Sequence, residues 1–350
     1  MIGFGNVGQA FARLLISKKE WFRETYGLEV EVHAISTRTR GSLMSKKAID
    51  LDRVLGMLEK GETFRDSMPE YVDLSPFEIL EGCDANLMVE LTTLNIDSGQ
   101  PAIDHIRKAL NRGMHIVTAN KGPVAYAYNE LSSLARSRGL QFRFEGTVMD
   151  GTPVFNLVER TLPGCEIESV QGLLNSTSNF ILTEMSRGIS MKEALDDAIR
   201  AGVAEADPSL DIDGWDAAAK ITALANVLMD ARSTPNKVDR TGIRGIDPES
   251  LRKAAASGTK YKLVARAEKA NGKVQTCVRP EPVRPDNLFW SVDGRSSAIT
   301  LKTDLMGEIS IVEHNPSIMQ TAYAIYSDML LIAESVHESS LARARQSEAP

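Results

Sequence analysis

Gly3-Phe4-Gly5-Asn6-Val7-Gly8 sits two residues into the chain, and its reading decides the fold. In a dinucleotide-binding βαβ unit, the first glycine of such a G-x-G-x-x-G permits a tight turn. The second lets backbone approach a pyrophosphate, and the third lets the following helix pack on its strand. The helix N-terminus then holds the phosphates. Glycine-rich turns are common, so the motif alone is weak. Its surroundings strengthen it. Val7, Phe11, Leu14 and Leu15 recur at helical spacing. Val30–Ile35 reads as a strand, and Asn86–Leu91 as another. A helix marked by Ile103, Ile106 and Leu110 is opened by Pro101 and stopped at Gly113. His115–Thr118 is the next strand, Leu131, Leu134 and Ala135 mark the next helix, and Gln141–Phe144 follows. Alternating strand and helix predicts an α/β chain with a Rossmann-like, doubly wound parallel sheet.

Only Met1 and Ile2 stand where a central first strand is expected. A missing central strand would expose both neighbours and remove the platform that aims the glycine turn. The expectation is a true start upstream of this methionine. After the second strand come Ser36, Thr37, Arg38 and Arg40. An arginine there suits a ribose 2′-phosphate, whereas NAD sites usually carry an acid, so NADP is favoured over NAD. A solvated basic loop is the alternative.

Beyond Phe144 the composition changes. Glu145-Gly146-Thr147-Val148-Met149-Asp150-Gly151-Thr152-Pro153 is a crossing into a second, α+β domain. The expected division is residues 1–146 for nucleotide binding and 147–316 for substrate binding and dimerisation. A last helix, about 317–341, packs back on the first domain. Val170–Leu174 reads as a strand, Asn175–Asn179 as a polar turn into a helix, and Ser190 with Glu193 as a capping box. Three further strands are expected at Tyr261–Ala267, Val274–Val278 and Ala298–Thr303, and the last residues, 347–350, are expected to fray.

Between these lies Glu205-Ala206-Asp207-Pro208, running through Asp211, Asp213 and Asp216 to Lys220. Pro208 and Gly214 are expected to keep the acids on a loop. From Trp215 the pattern turns helical, which sets Asp216 and Lys220 at i and i+4 on one face. Asp213 is expected to cap that helix, Trp215 to pack in the core, and Asp207 to shape the loop. An acidic surface loop with an ordinary ion pair is the bland alternative. The chemical one is a site that binds an amino acid's ammonium and moves a proton.

Composition narrows the classes. The 350 residues have 40 Lys and Arg against 47 Asp and Glu, a net charge of −7, which gives no electrostatic case for nucleic acid or an anionic membrane. No run approaches the roughly 18 apolar residues of a membrane span. Cys83, Cys165 and Cys277 are dispersed and lack C-x-x-C spacing, which argues for reduced thiols in a cytoplasm and against a zinc site.

Five stretches in this order resemble the homoserine dehydrogenase family: the glycine motif, Thr118-Ala119-Asn120-Lys121, Gly146–Pro153, Leu174–Phe180, and Glu205–Pro208 through Asp216 and Lys220. A weaker match runs from Thr321-Ala322 to Asp328. The resemblance implies reversible NAD(P)-dependent reduction of L-aspartate 4-semialdehyde to L-homoserine, in threonine, methionine and isoleucine biosynthesis. It implies Lys220 as proton donor, Asp216 as its partner and Lys121 as a second lysine near cofactor and substrate. Glu205, Asp211, Asn175 and Thr177 would bind substrate. Gly3, Gly5, Asn6, Val7, Gly8, Arg38, Thr92 and Thr93, with Lys121, would hold the cofactor. Glu145, Val148, Asp150 and Thr152 would hold a monovalent cation, Na⁺ or K⁺. The implied assembly is a homodimer of the short form, without a regulatory domain. Two stretches depart from the family's pattern. Its glycine-rich run before Thr-Ala is here Glu313–Gln320, and the turn after Leu174 reads Asn-Ser-Thr-Ser-Asn. A relative acting on another amino-acid aldehyde, or a silent ligand-binding homologue, are the other readings. A thioester-forming aldehyde dehydrogenase would need an activated cysteine with a paired histidine, which the sequence does not suggest.

Overall fold

The apolar stripe Phe11, Ala12, Leu15 and Phe22 makes α1 (Asn6–Tyr26) a packing helix, and Gly27, at φ 62°, closes it by donating its N–H to Arg23 O. The structure, a computed structural model, describes residues 1–205 and 207–347; Ala206 and the tail 348–350 lie outside them. After α1 come β1 (Ala34–Ser36), β2 (Ser42–Met44), α2 (Leu51–Glu59), α3 (Phe64–Ser67), β3 (Tyr71–Val72), α4 (Pro76–Gly82) and β4 (Leu87–Glu90). Then follow α5 (Ala102–Asn111), β5 (His115–Thr118), α6 (Lys121–Ser137) and β6 (Phe142–Arg143). Strands β4, β5 and β6 run parallel, while β1, β2 and β3 form an antiparallel group beside them.

Ile2 joins the two groups. It bridges Ser36 and Glu90 in parallel, with Ile2 N to Val89 O at 2.9 Å and Leu91 N to Ile2 O at 2.7 Å. The Met1 amino group donates to Ala34 O at 2.7 Å. Regular strand therefore begins only at Ala34, and the expected strand over Val30–Ile35 is shortened. Val30 and Val32 have the composition of a strand but no central neighbour beside them. Between them and Leu87 lies an open cleft of about 730 Å³, lined by Leu15, Phe22 and Met329 on one side and by Glu29, Glu31, Asp84 and Arg112 toward solvent. Val30, Val32 and Leu87 are half-buried there, packed against the cluster of Phe11, Leu15 and Met329, rather than exposed as expected. At Ile2 the stub still ties the two neighbouring strands together.

Two short 3₁₀ turns, Glu145–Thr147 and Met149–Gly151, lead out of this layer. The second layer contains α7 (Phe155–Thr161), β7 (Ile167–Leu173), α8 (Ser176–Ser186), α9 (Met191–Arg200), α10 (Ser209–Ile212) and α11 (Trp215–Met229). It continues with β8 (Asp239–Arg240), α12 (Pro248–Ala256), β9 (Lys260–Ala270), β10 (Lys273–Val283), β11 (Ser297–Thr303) and β12 (Gly307–Glu313). The sheet order is β12-β11-β7-β9-β10-β8, antiparallel except for β8 on β10. Strand β12 pairs along β11 and was not anticipated from sequence. Val170, Ile181, Ile221, Leu224, Leu263 and Ile299 are buried in the core between this sheet and its helices. The Ser190–Glu193 capping box forms as expected at the start of α9.

The last helix, α13 (Ile318–Ser347), returns to the first layer and buries Ala322, Ile325 and Met329 against Phe11 and Leu15. No helix among the described residues is long and apolar enough to cross a membrane. Midway along α13, fully buried Asp328 accepts from Glu145 N at 2.8 Å and from Asn156 Nδ2 at 3.0 Å. Burial first, then the Glu145 charge, pushes its carboxyl up to about 7, with the Asn156 bond opposing. A folded value above the unfolded one means stability is fully present below about pH 4 and is lost as pH rises through about 7. Asp328→Asn cannot ionise. Its unfolding free energy relative to wild type is expected to rise between pH 4 and pH 8 by on the order of 2–4 kcal/mol, followed by denaturant unfolding at each pH. A difference independent of pH would show that Asp328 does not titrate in this window.

Candidate active site

The acidic stretch is less of a loop than its sequence suggests. Pro208 serves as the first residue of a helical turn, so Asp211 rides on α10 between Ser209 and Ile212. Asp207 shapes the entry by accepting from Ser209 N at 3.1 Å, as expected. Asp213 does not cap α11. Gly214, in the left-handed region at φ 78°, holds that position, and Asp213 takes a two-pronged bond from Arg244 at 2.8 and 3.0 Å. Trp215 is half-buried, with the Arg240 guanidinium 3.7 Å above its ring, rather than a core residue. Gly242 lies so close to Asp213 Cα that a Cβ would approach within 2.5 Å. Arg240, Gly242 and Arg244 thus clamp the turn from which Asp216 projects.

Asp216 and Lys220 meet across one turn of α11, Oδ2 to Nζ at 2.9 Å. The other carboxylate oxygen, Oδ1, is 3.0 Å from Lys121 Nζ, which comes from the first turn of α6 in the other layer. One carboxylate therefore joins two ammonium groups carried by helices of two layers. Asn175, the N-cap of α8, adds its amide: Nδ2 reaches Asp211 Oδ1 at 2.6 Å and Asp216 Oδ2 at 2.9 Å. Lys220 Nζ also donates to Leu174 O at 2.7 Å. Thr177 donates to Val203 O at 3.1 Å and lies beside Asp211, whereas Glu205 is exposed.

Electrostatics follow from this packing. Burial alone would raise the Asp216 carboxyl, but Lys121, Lys220 and the Asn175 bond hold it far below the usual range. Burial would lower Lys220, yet the charges of Asp216, Asp150 and Asp211 raise it above the ordinary lysine value. Asp211 is raised, by burial and then by the Asp216 charge. A lysine kept charged beside a substrate oxygen is suited to donate a proton.

The nucleotide end has matching features. A Cβ on Gly3, at φ 91°, would stand 2.5 Å from Leu91 O, so only glycine fits the turn. Gly5 faces open space, and the N-terminus of α1 has no side-chain cap and no acid in its first turn. Its N–H groups at Asn6 and Val7 are available to an anion, and Gly8 packs against Phe4. Arg38 and Thr93 are exposed, and Thr92 is half-buried. Sequence reasoning missed the link between this end and Lys121. Fully buried Glu90 accepts from the Thr92 hydroxyl, Asn120 Nδ2 donates to Thr92 O at 3.0 Å, and Asn120 Oδ1 caps α6 at Gly122 N, 3.0 Å. The capping signal of an asparagine directly before a helix was there to be read.

At the hinge, both Glu145 oxygens accept backbone N–H groups of Val154, Phe155 and Asn156 at 2.6–3.0 Å. Asp150 is left-handed, at φ 48°. Near it stands Glu313, also missed, at the end of β12. It is 7% exposed, with the Thr152 hydroxyl as its polar neighbour. Burial, then the Asp150 charge, pushes its carboxyl up to about 7.

A family model described as the homoserine dehydrogenase NAD-binding domain matches residues 3–145, and the homoserine dehydrogenase model itself matches 153–330. The chain belongs to the homoserine dehydrogenase family. Members of that family are nicotinamide-dependent oxidoreductases acting on a CH–OH group. A homoserine dehydrogenase of Methanocaldococcus jannaschii is 35% identical over 336 residues, covering 96% of this chain and 98% of that protein. The NAD(+)-dependent homoserine dehydrogenase of Pseudomonas canavaninivorans is 32% identical over 336 residues, covering 96% of each. The crystal structure of a homoserine dehydrogenase from Thiobacillus denitrificans superposes with a TM-score of 0.80 at 28% identity, covering 95% of this chain and 72% of that one. The family's Rossmann nucleotide domain agrees with the α/β class expected from the glycine motif.

Proposed function

We propose that this homoserine dehydrogenase interconverts L-aspartate 4-semialdehyde and L-homoserine with Lys220 as its acid and base. The observation that carries the proposal is the Asp216 carboxylate held between Lys121 and Lys220. A bound nicotinamide cofactor supplies or accepts the hydride at the substrate carbon. In the reducing direction, Lys220 Nζ donates a proton to the oxygen as negative charge develops there. In the oxidising direction it takes the proton back. Asp216 keeps Lys220 charged and aimed, Lys121 adds a second positive charge, and Asn175 fixes both acids. Asp211, Thr177 and Glu205 are proposed to take the substrate's polar groups.

The cofactor fits the open N-terminus of α1 in front of Gly5, where Asn6, Val7 and Gly8 would hold its pyrophosphate and Thr92 and Thr93 would flank it. Arg38, exposed beyond the end of β1, supports NADP, since a guanidinium pairs with a 2′-phosphate. The relative named NAD(+)-dependent favours the other nucleotide, and a direct comparison decides. With homoserine saturating, kcat/KM for NADP is expected to exceed that for NAD, and Arg38→Ala to reduce the NADP value by roughly 10-fold, the scale of one charged hydrogen bond. Equal use of both nucleotides, unchanged by the substitution, would remove Arg38 from the site.

A monovalent cation is a further proposal, at Val148, Asp150 and Thr152. The Glu145 side chain does not fit it, because both oxygens are already engaged, so Glu145 would contribute only through its main chain. A homodimer on the second layer and a cytoplasmic setting complete the proposal.

A further inference from the structure

Glu90 ends β4 with its carboxylate fully buried, beneath the loops that lead to the cofactor turn and to Lys121. Among the described residues no lysine or arginine pairs with it. The basic group in reach is His105, itself buried, with Nδ1 3.6 Å from Glu90 Oε1. An apolar residue of similar volume often serves a fold as well as a buried charge, so stability does not explain this one. Its bonds point to another use. Oε1 accepts from the Thr92 hydroxyl and from Thr92 N, the latter at 3.3 Å. Thr92 N in turn lies 2.9 Å from where a Cβ of Gly3 would stand, which sets it against the glycine turn. The same strand end leads to α6. Thr118, in register with Glu90, donates to Glu90 O at 2.9 Å and accepts from Asn120 N at 3.0 Å. Asn120 Nδ2 spans back to Thr92 O at 3.0 Å, while its Oδ1 caps α6 at Gly122 N. The residue between them, Lys121, is the one that reaches Asp216.

We propose that Glu90 is a positioning residue that locks the Thr92 turn to the head of α6, so that the cofactor's seat and the Lys121 ammonium keep one fixed spacing. The inference rests on the proposed reaction, in which a misplacement of about 1 Å can cost roughly 100-fold in rate. Glu90 is buried, so it acts through Thr92, Thr118 and Asn120. No bond to it is made or broken in the reaction.

Glu90→Leu removes both oxygens at similar volume. It is expected to lower kcat for homoserine oxidation and to raise KM for NADP and NAD, each roughly 10-fold, the scale of a charged hydrogen bond. KM for homoserine, set in the other layer, stays within about twofold. Glu90→Gln keeps an acceptor for the Thr92 hydroxyl and recovers part of both losses. Thr92→Val removes the hydroxyl from the half-buried end, repeats the losses, and carries the test should Glu90→Leu not fold. The deciding measurement places the same substitution in a Lys121→Met enzyme. There kcat falls no further, because the group being aligned is gone, while the cofactor KM still rises. A kcat loss of the same factor in both backgrounds overturns the inference. So does an unchanged cofactor KM, or a loss that follows the melting temperature across the variants. Should wild type not oxidise homoserine, the proposed reaction fails and this inference with it. Normal wild-type turnover with an indifferent Glu90→Leu sinks the inference alone.

Discussion

Lys220→Ala is expected to lower kcat for homoserine oxidation by roughly 10²- to 10⁴-fold, the usual contribution of a positioned acid or base. The fold should survive. Asp216 keeps Lys121 at 3.0 Å and Asn175 at 2.9 Å, so the carboxylate is not left bare. Circular dichroism and an unfolding curve check that point. Lys220→Arg separates charge from proton transfer, since a guanidinium keeps the charge but does not give up its proton. It should be nearly as inactive as the alanine variant. The pH dependence has a fixed sign. Oxidation needs neutral Lys220 to accept the proton, and the surrounding acids hold the lysine charged to higher pH than usual. Oxidation therefore speeds up toward alkaline pH, and reduction slows. A Lys220→Ala enzyme with normal turnover, or an oxidation rate falling with pH above neutrality, would refute the assignment.

The second large effect concerns stability. A chain extended ahead of Met1 by about five apolar, β-forming residues is expected to melt at least roughly 4 °C higher than the present one. The slot between Val30–Val32 and Leu87 is about 730 Å³ in volume, its inner wall made by Leu15, Phe22, Met88 and Met329. Burying five apolar side chains contributes about 10 kcal/mol by area, and ordering the segment costs about 8 kcal/mol. The net of about 2 kcal/mol corresponds to a shift of several degrees. Extension also removes a buried ammonium, which burial lowers to about 6 from 8.0. A depressed base costs stability as pH falls through its folded value, so the benefit should be larger at pH 5 than at pH 8. Hydrogen exchange should slow at Val30, Val32 and Leu87. An unchanged melting point without new protection would mean the slot does not accept a strand.

The contrast between these sites shows what the sequence could convey. Asp216 and Lys220 were legible because helical spacing alone brings i and i+4 together. The glycine turn was legible because Gly3 meets a backbone constraint that no other residue satisfies. Lys121 on Asp216 was not, because that contact depends on how two layers dock. Asp213 was misread as a cap because Arg244, thirty-one positions away, captures it and leaves the N-cap to Gly214. Val30–His33 was misread as strand because alternation reports side-chain preference, while a strand needs a neighbour. Glu313 was noted only as a departure from a glycine pattern, since nothing local to it indicates burial.

Asn175 carries one more consequence. Its carbonyl oxygen accepts from Ser178 N at 2.7 Å and starts α8, while its amide nitrogen holds Asp211 and Asp216. A substitution at this position registers twice, once in whether the helix begins and once in whether the acids stay aligned. Natural variation there passes two filters that act on the same few atoms. A substitution that satisfies one of them still meets the other, so aspartate, which keeps the cap but not the donor, should retain the helix and lose the alignment of the acids.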